Sequence, residues 1–81
     1  MHIVEVLAWF DLDGRAQPLK FIWDGVTHPV ASSGRQWEDE TGQHTLVMDH
    51  RDQVFELVFS ASERRWYLKR PMQPQQGIFP A

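Results

Sequence analysis

Turn signals recur along the chain at intervals of roughly ten residues, and that spacing restricts the fold more than any other feature. They stand at Asp13-Gly14, Asp24-Gly25, Ser33-Gly34, Thr41-Gly42, Arg51-Asp52 and Ala61-Ser62, between short runs rich in β-branched and aromatic residues. A glycine in such a pair accepts the positive φ that a tight turn needs. The pattern predicts an all-β chain, a meander of about six strands closed or nearly closed into a single small antiparallel barrel, SH3-like or similar.

The individual runs carry the strand period. Residues 2–10 put Val4, Val6, Ala8 and Phe10 on one face and Ile3, Leu7 and Trp9 beside Glu5 on the other, so this strand is expected to be partly buried on both sides. Residues 18–24 place Leu19, Phe21 and Trp23 together, and Asp24-Gly25 is the strongest two-residue hairpin signal present. In the return strand, 26–31, Val26, His28 and Val30 share a face. Pro29 has no N–H, which predicts an edge strand or a bulge there.

The stretch SSGRQWEDETG, 32–42, offers Ser33 and Gln36 as a capping box for one helical turn. Trp37 is its only apolar residue between Arg35 and Gly42, so an extended segment with Trp37 folded inward is expected instead. Residues 44–50 and 53–60 read as a hairpin around His50-Arg51-Asp52. Phe55, Leu57 and Phe59 alternate along its second arm, and the shortness and β-branched content of that arm favour a strand over a helix. A last strand, 64–70, sends Trp66 and Leu68 one way and Tyr67 and Lys69 the other. Residues 1–70 thus form a compact β domain. PMQPQQGIFPA, 71–81, reads as a flexible Pro/Gln-rich tail whose Ile78 and Phe79 offer the means to dock back.

Eighty-one residues are too few for two cores, yet 42% hydrophobic content with four Trp and five Phe is ample for one. Packing Leu19, Phe21 and Trp23 against Phe55, Leu57 and Phe59 removes far more surface from water than leaving either set open, so these rings are assigned to the core. The absence of cysteine excludes disulfides, thiolate metal sites and a cysteine nucleophile. MHIVEVLAWFDLDG has no basic n-region, and no apolar run approaches a membrane span, so a cytoplasmic protein without membrane contact is expected. A net charge of −3 argues against general affinity for duplex DNA.

Catalytic signatures are thin. His44 and His50 stand six apart, a spacing that fits neither helical nor strand metal sites by itself, and exposed turn histidines are expected. Asp11 and Asp13 flank a turn too short for an EF-hand, and Glu38, Asp39 and Glu40 read as a solvated acidic run. With no G-x-S-x-G elbow and no phosphate-binding glycine loop, an enzyme is the least supported class, and neither a metal nor a cofactor is expected. The most informative stretch is RRWYLKR, 64–70, which holds Arg64, Arg65, Lys69 and Arg70 around Trp66 and Tyr67. Cations set among aromatics on a β face suit single-stranded nucleic acid, although alternation keeps the two rings from forming one platform. Arg64 and Arg65 are also candidates to pair with the Glu38–Glu40 run.

The order of landmarks also carries a resemblance. F-x-W-x-G at Phe21, Trp23 and Gly25 is followed by Val30, a lone Trp37, F-E-L at Phe55–Leu57 and W-x-L at Trp66–Leu68. Over residues 1–70 this resembles a small bacterial β-domain family of unknown function, found alone or appended to relatives of the DinB-like Y-family polymerases. The resemblance implies a partner in DNA metabolism and carries over no catalytic residue. The expectation is a non-catalytic module that binds a protein partner, as a monomer or homodimer, through Arg64, Arg65, Tyr67, Lys69 and Arg70, with Trp37. The competing expectation is a single-stranded nucleic-acid-binding accessory domain that uses the same residues.

Overall fold

The computed structural model describes residues 2–69. Arg70 and the 71–81 tail, with its proposed docking residues Ile78 and Phe79, lie outside that part. Six strands follow one another: β1 (His2–Phe10), β2 (Ala16–Trp23), β3 (Val26–Asp39), β4 (Gly42–Asp49), β5 (Val54–Ser60) and β6 (Arg65–Leu68). Each pairs antiparallel with the next, and β6 returns to β1 through His2↔Leu68, Ile3↔Tyr67 and Val4↔Trp66, so the barrel is closed. Closure satisfies the backbone groups that an open sheet would leave along its edges.

The turns form where the sequence marks them. Asp24 and Gly25 both take positive φ, 53° and 75°, and join Trp23 directly to Val26, the geometry of a primed two-residue hairpin. At the next hairpin Asp39 pairs with Gly42, whose φ is 143°. A Cβ on Gly42 would collide with the backbone carbonyl of Phe59, so glycine there is required by backbone angle and by space alike.

Alternation fills the interior with Val4, Phe21, Val47, Phe55, Leu57, Trp66 and Leu68, flanked by Trp23, Val30 and Phe59. Phe21 meets Phe55 edge-on at 5.0 Å between centroids, and Phe59 lies 5.1 Å from Trp66. Such tilted pairs suit the ring quadrupoles and add to the area they bury. The 53–60 segment is a strand, and both of its faces are buried: Phe55 and Leu57 inward, Val54, Glu56 and Val58 on the opposite side.

Two expectations need correction, and a third holds in the second of its two forms. Leu19 is exposed rather than packed with Phe21 and Trp23. The register steps from Leu7↔Lys20 to Ala8↔Pro18, leaving Leu19 as the unpaired residue of a β-bulge that turns it outward and seats Pro18 inside. The second face of β1 is not covered either: Ile3, Leu7 and Trp9 all stand open to water. Pro29 marks no edge. It is the last β3 residue to face β2, opposite Lys20, and Val30 is the first to pair with β4. The bulge follows at Ala31, between Val30 and Ser32, where the long strand bends from one side of the barrel to the other and a missing N–H does no harm.

Candidate functional site

Two surfaces emerge outside the core. The first is polar. Because β3 and β4 turn at Glu40-Thr41, Trp37 falls opposite His44, and their rings stack at 4.9 Å with 12° between planes. The guanidinium of Arg35 also lies over the Trp37 ring, 5.0 Å from its centroid, a cation–π contact. His44 is buried, not an exposed turn histidine. Its Nδ1 is 2.7 Å from Glu56 Oε2, and its Nε2 is 2.9 Å from both Asp39 Oδ1 and the Thr41 hydroxyl. Both ring nitrogens are thus engaged by side chains of the barrel itself. Lys69 Nζ, 3.3 Å from Glu56, extends this chain of polar contacts.

These contacts set the local acidity. Hydrogen bonds from the Thr41 hydroxyl, from His44 and from the Thr41 N–H hold the Asp39 carboxyl well below the usual carboxylate range. At the far end of β4, burial pushes Asp49 up, but N–H groups of Gln53 and Arg51 and the ring of His28 outweigh it and leave its pKa lowered. His28 is also not an exposed turn residue: it stacks on Phe21 at 5.0 Å and reaches Asp49 at 3.5 Å.

Beside the Trp37–His44 stack lies an open cleft of about 660 Å³, lined among others by Asp13, Arg15, Gln36, Glu38 and Gln43. Gln43 donates to the Gly14 carbonyl and accepts from the Ala16 N–H, which ties the β1–β2 turn to β4. Each nitrogen of His44 faces a carboxylate, Nδ1 that of Glu56 and Nε2 that of Asp39. Among the described residues, no group of three or more His, Asp or Glu could hold a metal ion, and no helix is long and apolar enough to cross a membrane.

The residues singled out in the sequence are divided by this arrangement. The outer face carries a register row, Trp37↔His44↔Val58↔Tyr67↔Ile3, so Trp37 and Tyr67 share a surface but stand three strands apart, roughly 14 Å at normal strand spacing. Lys69 is engaged by Glu56, and the Tyr67 hydroxyl donates to Glu63, a bond that raises the Tyr67 pKa. Arg64, in the turn at φ 60°, and Arg65, first residue of β6, are exposed, and neither forms an ion pair with the Glu38–Glu40 run. Arg35, His44 and Glu56 were not singled out as a unit, although a two-residue turn at 40–41 implies the pairing of 37 with 44.

The second surface is apolar and was not anticipated. On the outer side of β1 and β2, Ile3 is 61%, Leu7 54%, Trp9 54% and Ile22 38% exposed, with Leu19 turned out beside them. Tyr67 adjoins this face because it pairs with Ile3. Open groupings of this size mark contact surfaces more often than scattered single residues do. Comparison of the chain with family models, with curated proteins and with solved structures finds no match.

Proposed function

We propose that this domain is a non-catalytic protein-interaction module whose contact face is the outer side of β6, β1 and β2. The observation that supports this most is that Ile3, Leu7, Trp9 and Ile22 stand in the open together on one face of two paired strands. Interfaces combine such aromatic and aliphatic anchors with charged groups, and Glu5 and Lys20 stand among the anchors, with Arg65 on the neighbouring β6. The face shifts the proposed contact away from Lys69 and Trp37, which are occupied by Glu56 and by His44. A partner in DNA metabolism, as the family resemblance implies, fits this reading without direct DNA contact.

The test is affinity capture with the tagged chain from cells that also express an untagged copy. Wild-type bait should retain a partner, the untagged copy included, and Leu7→Asp should lose it while keeping its circular dichroism spectrum. Identical recovery by both baits would refute the face as the contact surface.

A second reading, a single-stranded nucleic-acid binder, draws on Arg64 and Arg65, which are exposed and make no ion pair among the described residues, with Tyr67 on the outer face beside them. Titration of labelled oligonucleotides separates the two. Affinity that falls steeply with salt and disappears in Arg64→Ala/Arg65→Ala supports it, and no binding at low salt removes it.

A further inference from the structure

We infer that the partner seated on the β1–β2 face is a second copy of this chain, in a two-fold dimer built on a quadrilateral of four residues. The inference rests on the reading of that face as a contact surface. Glu5 pairs with Ile22 and Leu7 pairs with Lys20, so the four side chains occupy the corners of one outward-facing plaquette. One diagonal joins Glu5 to Lys20, the other Leu7 to Ile22. A shallow hollow of about 210 Å³ lies between them, floored by Val6 and Phe21.

This layout complements itself. A two-fold axis lying in the interface along the Leu7–Ile22 diagonal brings each end of the other diagonal to within about 3 Å of the opposite end, an offset that the Glu and Lys side chains span. Glu5 of each copy then meets Lys20 of the other, while Leu7 meets Leu7 and Ile22 meets Ile22. With strands about 4.8 Å apart and a rise near 3.4 Å per residue, that rotation crosses the two sheets at about 70°, close to the orthogonal class of sheet packing. Isologous contacts of this kind are the commonest route to soluble oligomers. Neither Glu5 nor Lys20 has an ion-pair partner among the described residues, so both charges are free to be matched across the axis.

The extent of the face is sufficient. Ile3, Leu7, Trp9, Leu19 and Ile22 together expose on the order of 500 Å², and with Glu5, Lys20 and Tyr67 around them the face approaches the ~800 Å² per partner of a standard interface. An unrelated partner would need its own carboxylate and cation in matching positions. A second copy supplies both automatically.

Sedimentation velocity on the full chain over a concentration series into the high micromolar range tests this. Wild type should be a dimer. Glu5→Lys and Lys20→Glu should each weaken association about tenfold or more, because the axis makes each substitution count twice. The double variant Glu5→Lys/Lys20→Glu should return to within about threefold of wild type, since it restores both pairs in reverse. These exposed substitutions leave the core untouched, so all variants should retain the wild-type spectrum, and the single variants should lose only the share of melting temperature that association supplies. A monomeric wild type, or a double variant as weak as the singles, overturns the dimer. The reading of the face falls separately, when Leu7→Asp leaves capture unchanged. A monomeric wild type whose other captured partner is lost in Leu7→Asp sinks the dimer and leaves the face standing.

Discussion

Replacing His44 by Ala should be among the most damaging single changes outside the apolar core. The ring is 2% exposed and lies between the carboxylates of Glu56 and Asp39, with Trp37 stacked upon it. Its removal leaves the buried Glu56 carboxylate with Lys69 as its one cation among the described residues, 3.3 Å away and half exposed. Orphaning a buried charge costs about 3–5 kcal/mol, and the surviving lysine puts this case near the low end. Loss of the ring stack adds about 0.5–1.5 kcal/mol. Asp39 is half exposed and returns to water at little cost. A domain of this size has a total stability of about 4–12 kcal/mol, so a loss of about 3–4 removes a large share of it. Urea denaturation followed by tryptophan fluorescence should show the unfolding free energy falling by that amount, and the melting temperature should drop by roughly 12–30 °C. The same argument says that the pair contributes little net stability compared with packed apolar groups. His44→Leu with Glu56→Leu should therefore recover most of the loss. A cost below about 1 kcal/mol for His44→Ala, or a double variant as unstable as the sum of its parts, would refute the reasoning.

Asp49→Ala should cost about 2–4 kcal/mol, because Oδ1 accepts from the N–H groups of Arg51 and Gln53 in the β4–β5 turn and Oδ2 faces His28. Asp49→Asn keeps an acceptor for the turn and should cost clearly less; equal losses in chemical denaturation would argue against the capping role. Asp39 and Asp49 are both more acidic in the folded chain than in the unfolded one, so the stability they supply is present above about pH 4 and is lost as acid protonates them. Denaturation midpoints should fall below about pH 4, and Asp49→Asn should flatten that fall; an unchanged slope contradicts the assignment. Gly42→Ala combines a left-handed backbone angle with a clash against the Phe59 carbonyl and should cost more than about 3 kcal/mol in thermal melts, whereas Gly14→Ala, with open space around it, should cost about 1.

Much of the barrel was legible because its determinants are local. Asp24-Gly25 specifies a turn by backbone angle alone, and alternation around it sends Phe21 and Trp23 to the same side. Trp66 and Leu68 are sorted from Tyr67 and Lys69 in the same way. Alternation assigns parity, however, and does not say which of two apolar sides a neighbour will cover. Ile3, Leu7 and Trp9 look as buriable as Val4 and Val6, and only closure of β6 onto β1 decides that Val4 faces inward. Leu19 was misjudged because a bulge shifts the parity halfway along β2. The His44–Glu56–Lys69 chain was missed because it links β4, β5 and the residue after β6, and these side chains read as solvent-facing until those segments lie side by side. Lys69, singled out for a partner, is held by that chain instead.

The account depends most on the outer side of β1 and β2 being the surface on which two copies of this chain meet. An NMR dilution series of the labelled chain measures this residue by residue. The amides of Ile3–Trp9, Lys20–Ile22 and Tyr67 should move together with concentration while those of Val47, Leu57 and Leu68 stay fixed. Shifts confined to Trp37, Arg64 and Arg65, or no concentration dependence at all, would contradict it.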